Sequence, residues 1–155
     1  MVTKVKKILF TCAYILIIIY LSIYIPSIWG FKPLVVASGS MEPVLKVGGI
    51  LYYKENKLDN YKKDDILVYK TPNHIVSHRI VDINNGNFMT KGDANNTGDG
   101  IINKNQILGK GTNFCIPIIG YYADYVYHHK YLMVITLGLI IVDLINEKYK
   151  RKNIN

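Results

Sequence analysis

The chain has 155 residues, half of them apolar, with a formal net charge of +8 and two cysteines. This length fits one compact domain of ordinary size, and so few cysteines exclude a disulfide-rich scaffold. The positive charge would suit nucleic acid or an anionic surface, but its sharpest clusters, Lys4–Lys7 and Lys148–Lys152, stand beside the most apolar segments. The pattern therefore favours a membrane protein and predicts no nucleic-acid partner.

The first predicted element is the apolar run Ile8–Gly30, which carries no charged residue. About 20 apolar residues span a bilayer core, and Trp29 suits the aromatic interface. A cleaved signal peptide would have a shorter apolar region of roughly 7–15 residues, followed promptly by a site of small residues. The nearest small cluster is Ala37–Gly39. We therefore predict an uncleaved signal anchor over residues 8–29, after a basic cytoplasmic segment over residues 1–7.

Residues 30–128 are predicted to form a β-rich extracytoplasmic domain. Short runs rich in Val, Ile, Tyr and Thr alternate with Asn, Gly, Asp and Pro, as in strands joined by turns. These runs are residues 48–56, 64–72, 74–83 and 86–93. The pair Asn85-Gly86 between the last two runs predicts a hairpin. The expected fold class is a small, mainly β domain flanked by N- and C-terminal transmembrane helices.

The second apolar run, Tyr131–Ile145, is 15 residues long and contains Asp143. It is short for a span, which usually needs about 17–25 residues, but tyrosines precede it and a basic tail follows. We predict a second transmembrane helix over residues 129–146 and a basic cytoplasmic tail over residues 147–155. The alternative is an amphipathic or buried helix. Two spans would make a multi-pass cell-membrane protein with both basic ends in the cytoplasm.

The serine-rich stretch VVASGSMEPVLKVGG follows the first apolar run. A serine hydroxyl is a poor nucleophile unless a base takes its proton and donors stabilise the oxyanion. On an extended backbone Ser38 faces the same side as Ser40 and could donate to an oxyanion formed there. Gly39 lets a substrate approach closely, and Pro43 stiffens the exit from the turn. Seen alone, such a stretch is more often an ordinary turn.

A histidine base and two acids follow. Strand alternation in residues 74–83 sets His78 on a buried face between aliphatic neighbours, while Arg79 points away. Burial opposes the charged imidazolium, which suits a neutral general base, although a core histidine would show the same pattern. The loop TKGDANNTGDG supplies Asp93 and Asp99. Either carboxylate could orient His78, and the acidic spacing does not match a calcium-binding EF-hand.

The motifs SGSMEP, VSHRI and TKGDANNTGD, in this order behind an apolar anchor, together resemble the type I signal peptidases. They are most similar to the endoplasmic-reticulum and archaeal branch and its SipW-like relatives, over roughly residues 34–100. The resemblance implies a membrane-bound serine endopeptidase that cleaves signal peptides from exported preproteins after small residues, through an acyl-enzyme. The commoner bacterial branch has a lysine base where this chain has a histidine.

The resemblance also implies a role for each site residue. Ser40 would be the nucleophile, His78 the general base, Asp99 the acid that orients it, and Asp93 a supporting acid. Ser38 and the backbone N–H of Ser40 would form the oxyanion hole. A histidine base predicts activity that rises with pH through the neutral region.

The expected position of the nucleophile fits this activity. Ser40 follows Trp29 by eleven residues, each spanning at most about 3.3–3.6 Å, so it should lie near the outer membrane surface, where signal peptides are cleaved. An extended substrate would add as a strand, with Val35, Val36 and residues 66–68 as candidate lining. Expected partners are signal peptides, the lipid bilayer, and an accessory membrane subunit or secretion machinery. No metal or organic cofactor is implied.

Three other functions are weighed. A membrane-anchored scaffold or assembly subunit would keep the fold without activity. A zinc peptidase would use His74 and His78 with His128 and His129, but the zincin motif needs a Glu after the first His, on a helix. A nucleic-acid binder finds no motif. The sequence leaves the breadth of the substrate set open.

Overall fold

The computed structural model describes residues 2–55 and 60–152, so part of the predicted tail over residues 147–155 lies outside the described residues. The helices are α1 Val2–Ile23, α2 Ile119–His128 and α3 Lys130–Lys152. The strands are β1 Lys32–Val35, β2 Ile50–Lys54, β3 Ile66–Lys70, β4 Ile75–Asn84, β5 Asn87–Lys91, β6 Ile101–Ile102 and β7 Ile107–Ile116. Short 3-10 helices occupy Ile25–Trp29, Gly39–Met41 and Lys104–Gln106.

The strands form one sheet in the order β1-β2-β7-β3-β4-β5-β6, in which every neighbouring pair is antiparallel. The sheet curls, so that β3 is buried on both faces. Ile66 and Val68 pack in one core cluster, whereas Leu67 and Tyr69 pack in another. The prediction of a mainly β domain is confirmed.

The structure confirms the predicted strands that became β2, β3, β4 and β5. The hairpin between β4 and β5 is also confirmed, with Asn84 paired to Asn87. Asn85 has φ 50° and Gly86 has φ 76°. A two-residue hairpin turn of type I′ requires positive φ at both central positions, which Asn and Gly tolerate best.

The long central strand β7 is not predicted by the sequence pattern, because its Gly, Lys and Asn residues are depleted in strands. The glycines have a packing reason. A Cβ at Gly109 would lie 2.5 Å from the carbonyl oxygen of Lys54, and one at Gly111 would lie 2.9 Å from Cγ2 of Ile66. β7 therefore needs residues without side chains to fit between β2 and β3.

The described residues divide into two compact units. Residues 24–122 carry the sheet, while α1, α3 and the end of α2 belong to the other unit. A candidate membrane span runs over Lys4–Trp29 and overlaps the anchor predicted for residues 8–29. In the helical unit, Nζ of Lys6 lies 2.5 Å from Oδ1 of Asp143.

The predicted second span over residues 129–146 falls on a bent pair of helices. Residues 119–128 and 130–146 are bent by 88° at a short break. By length and composition, the described residues hold one helix able to cross a membrane, or two if the bent pair counts as one span. The second span therefore stays a prediction.

Candidate active site

Ser40 lies in the short 3-10 helix Gly39–Met41, which follows shortly after the end of β1 at Val35. The neighbouring Met41 is fully buried in the core beside Val36. The N–H of Glu42 donates to the carbonyl oxygen of Gly39 at 3.0 Å and closes the turn. A buried side chain thus holds the turn to the core, while Ser40 is only half-buried.

The hydroxyls of Ser38 and Ser40 are neighbours, with their Oγ atoms 3.3 Å apart. The expected reason for this proximity is wrong, because the backbone is not extended throughout. Ser38 is extended, with φ −136° and ψ 160°, but Gly39 starts a 3-10 turn. The turn, rather than strand alternation, brings the two hydroxyls together.

His78 lies on β4 and is only 8% exposed, as predicted for this face of the strand. Its Nε2 lies 2.9 Å from Oγ of Ser40, and its Nδ1 lies 2.5 Å from Oδ2 of Asp99. An ionised carboxylate can only accept, so Nδ1 carries the hydrogen and Nε2 is left to accept the Ser40 hydroxyl proton. The structure therefore aligns Ser40, His78 and Asp99 in one chain of hydrogen bonds.

The carboxylate of Asp99 has further contacts that the sequence analysis does not predict. Thr90 Oγ1 donates to Oδ2 at 2.9 Å and the hydroxyl of Tyr69 donates at 3.3 Å. The Asp99 N–H also donates to the carbonyl oxygen of Thr90 at 2.8 Å. Burial, as the largest cause, raises the pKa of Tyr69 to about 12, so its hydroxyl is a donor at neutral pH.

One signal in the sequence could have pointed to Thr90. It follows Phe88 by two residues on β5, so both side chains face the same side, and Phe88 and Thr90 are both buried. A buried hydroxyl needs a hydrogen-bond partner, and Asp99 follows in the same loop. Tyr69 has no such local signal, because its contact with Asp99 joins β3 to a loop far along the chain.

Asp93, the other acid of the loop, pairs with Arg79 on the next position of β4. Arg79 Nε donates to Oδ1 at 2.8 Å and Nη2 donates to Oδ2 at 2.6 Å. Arg79 Nη1 also donates to the carbonyl oxygen of Asp64 at 2.8 Å. The hydrogen bond to Asp93 is the largest cause that raises the pKa of Arg79, so the guanidinium stays charged. Its geometry fixes the loop to β4.

The same loop reaches the backbone of Ser40. The N–H of Ala94 donates to the carbonyl oxygen of Ser40 at 2.9 Å. A Cβ at Gly92 would lie 2.5 Å from that same oxygen, so the close approach requires glycine. Gly92 and Ala94 thus contact the backbone of Ser40, while the side chain of Asp93 between them pairs with Arg79.

A largely apolar groove of about 360 Å³ opens beside Ser40 and His78. Its walls come from the end of β1 and the start of β4, and they include Val35, Val36, Ile75 and Ser77. The expectation that residues 66–68 line the substrate groove is wrong. Their side chains are fully buried in the core on the two faces of β3.

One wall of the groove is an open strand edge. β4 pairs with β5 only from Arg79 onward, so within the described part of the chain residues 75–78 have no partner strand on that side. Ile80 exchanges backbone hydrogen bonds with residues on the β3 side. Since the direction alternates along a strand, the N–H and C=O groups of Ile75 and Ser77 point to the open side.

Comparison with known proteins shows which family the chain belongs to. No family model matches the chain. Signal peptidase I W of Bacillus subtilis (strain 168) is 32% identical over 99 residues, which are 59% of this chain and 52% of that protein. The chain thus matches about half the length of that relative.

Catalytic subunits of the signal peptidase complex match a larger share. The subunit of Lachancea thermotolerans is 33% identical over 124 residues, which are 68% of this chain and 72% of that protein. That of Sclerotinia sclerotiorum is 31% identical over 121 residues, which are 68% and 70%. The chain therefore belongs to the type I signal peptidase family, in its endoplasmic-reticulum and archaeal branch.

Proposed function

We propose that the chain is a membrane-bound serine endopeptidase, a signal peptidase, that removes signal peptides from exported preproteins. The observation that carries the proposal is the chain of hydrogen bonds from Ser40 through His78 to Asp99. It opens on an apolar groove, and the relatives above are named signal peptidases and catalytic subunits. Fold and site chemistry thus point to the same reaction.

His78 is the general base in this proposal. Its Nε2 takes the hydroxyl proton as Oγ of Ser40 attacks the scissile carbonyl, and then gives that proton to the leaving amine. An acyl-enzyme remains on Ser40. Water then attacks the acyl carbonyl, and Nε2 of His78 takes the proton of this water as it took that of Ser40. Asp99 holds Nδ1–H and stabilises the imidazolium that forms in each step.

The oxyanion of each tetrahedral intermediate is stabilised by the Ser38 hydroxyl and the N–H of Ser40. The 3.3 Å separation of the two Oγ atoms supports this role, because a group that close to the nucleophile can reach the oxygen of the attacked carbonyl. Removing one such donor typically costs about 10²–10³ in kcat.

The substrate binds as an extended strand along the open edge of β4. Ile75 and Ser77 are two residues apart, which is the strand period, so each can exchange backbone hydrogen bonds with the peptide. The apolar walls of the groove take the peptide's side chains. Secretory signal peptides are cut after small residues, and we propose this specificity here.

The proposed location is the cell membrane, with residues 30–128 outside and both basic ends in the cytoplasm. The candidate span Lys4–Trp29 supports an anchor. The ion pair of Lys6 with Asp143 supports a second membrane helix beside the cytoplasmic end of the anchor, because a charge such as that of Asp143 is tolerated in a membrane helix when it is paired. Since several relatives are named as subunits of a complex, we propose an accessory membrane subunit as a partner.

Replacement of Ser40 by alanine tests the proposal. The variant should insert into membranes normally but no longer cleave an exported preprotein. Cleavage is measured from the N-termini of the secreted proteins. Ser27→Ala removes an exposed hydroxyl outside the site and should cleave normally. Unchanged processing by Ser40→Ala would favour the non-catalytic scaffold.

A further inference from the structure

Two buried hydroxyls converge on the carboxylate oxygen that holds His78. Oδ2 of Asp99 accepts from Thr90 Oγ1 at 2.9 Å and from Tyr69 at 3.3 Å, in addition to Nδ1 of His78. Thr90 is 0% exposed and Tyr69 is 2% exposed. The two hydroxyl oxygens also lie 3.3 Å from each other. Asp99 is thus held by a small network inside the sheet.

Asp99 could orient the imidazole through one hydrogen bond alone, so the two added donors have a further effect. Donors to a carboxylate fix its position, and they also disperse its negative charge over more partners. A carboxylate with less free charge stabilises a neighbouring imidazolium less. The same oxygen therefore orients His78 and sets how firmly His78 keeps its proton.

We propose that Thr90 and Tyr69 are positioning residues that act on His78 through Asp99. They hold the carboxylate in line with Nδ1. They also share its negative charge and so weaken its stabilisation of the imidazolium, which lets His78 act as a free base at neutral pH. The inference rests on the proposed function, in which His78 takes the proton of Ser40.

The expected sign follows from the charge on Oδ2. Without the Thr90 hydroxyl, more of the negative charge on Oδ2 faces His78. The imidazole therefore keeps its proton to a higher pH, and activity rises only at that higher pH. The other groups around His78 do not change: Tyr69 lies on the neighbouring strand β3, and His74, which precedes β4, lines the same groove as His78. The Arg79–Asp93 pair lies on the opposite face. Tyr69 stays a phenol over the tested range, since burial raises its pKa to about 12.

The test compares full-length variants in detergent micelles by the pH profile of kcat/KM. Thr90→Val should move the midpoint of the rise in kcat/KM upward by about half a pH unit or more, which is a factor of about 3 in the proton affinity of His78. It should lower kcat with little change in KM, because Thr90 is not part of the groove walls. Thr90→Ser keeps the hydroxyl and should restore both values. Tyr69→Phe should shift the midpoint in the same direction, by less.

Thr112→Val is the matched control, because Thr112 donates to the carbonyl oxygen of Phe114 on β7, outside the network. It should leave midpoint and kcat unchanged. A purely structural role for Thr90 would reduce the amount of folded enzyme without moving the midpoint. If Thr90→Val does not fold, Tyr69→Phe alone decides.

A second readout separates this inference from the proposed function. The NMR signal of the His78 ring can be titrated in the Ser40→Ala chain, which needs no turnover. An upward move of its midpoint in Thr90→Val or Tyr69→Phe supports the positioning role even if the wild type cleaves no preprotein. An unchanged or lower midpoint in folded variants overturns it.

Discussion

His78 and Arg79 are neighbours on β4, and each pairs with a carboxylate of the same loop, yet the two pairs serve different ends. His78 is buried against Asp99 and touches Ser40. Arg79 forms a bidentate pair with Asp93 on the other face. The imidazole can exchange a proton near neutral pH, whereas the guanidinium stays charged. Strand alternation thus sets the proposed base and the arginine that braces the loop on opposite faces of β4.

The largest expected effect falls on the histidine side of this comparison. Asp99→Asn keeps the shape but presents an amide that can donate to Nδ1, which favours the wrong tautomer of His78. By analogy with serine proteases, kcat should fall about 10⁴-fold, measured as the cleavage rate of a purified preprotein. Asp93→Asn is the matched change across the strand. Equal losses in the two variants would contradict the division of roles.

The next effect tests how the loop supports the nucleophile. A Cβ at Gly92 would meet the carbonyl oxygen of Ser40 at 2.5 Å, whereas one at Gly98 would lie 3.4 Å from that of Thr90. Gly92→Ala should therefore displace Ser40 and lower kcat, by about 10²-fold for a shift near 1 Å. Gly98→Ala in the same loop should be nearly silent. Similar kinetics in both variants would remove the proposed support.

A smaller effect is expected from the arginine side. Asp93→Asn weakens a charged, bidentate pair whose side chains are 23% and 17% exposed. The free energy of unfolding should fall by about 1.5–3 kcal/mol, measured by denaturant titration, with a modest loss of kcat. Lys110→Ala breaks a more exposed pair with Asp65, in which the lysine is 38% exposed, and should cost less. An intact kcat/KM pH midpoint in Asp93→Asn is also expected.

The last effect appears only in alkali and has no consequence at neutral pH. Burial raises the pKa of Tyr69 from 10.0 to about 12, so the folded chain favours the phenol. This contribution is fully present below pH 10 and is lost as the pH rises from 10 to about 12, with a cost of about 2–3 kcal/mol. Urea unfolding should show a steeper slope in the wild type than in Tyr69→Phe, in which burial still raises the pKa values of Tyr52, Tyr61 and Tyr122. An exposed control, Tyr121→Phe, should keep it.

The residues of the loop alone left open which acid faces the imidazole, and only the resemblance implied Asp99. Asp93 and Asp99 share one Gly- and Asn-rich loop, and its path depends on contacts with other strands. The N–H of Asp99 bonds to Thr90, while Arg79 captures Asp93. Neither contact has a pattern in the loop itself.

The fold was predictable where local chemistry dominates. The Asn85-Gly86 turn and the alternation around His78 follow from backbone sterics and burial. β7 was not, because its glycines are explained only by close packing against distant strands. The error over residues 66–68 has a clear cause. A continuous apolar run indicates burial on both faces of a strand, which leaves no side chain for a groove.

The central place of β7 bears on biosynthesis. Among the described strands it is translated last, yet β2 and β3 are joined in the described sheet only through it. Until it is made, the half of the sheet next to Ser40 and the half that carries His78 share no strand pairing among the described residues. The 2.9 Å contact between Oγ of Ser40 and Nε2 of His78 is thus framed by a strand that follows both residues in the chain.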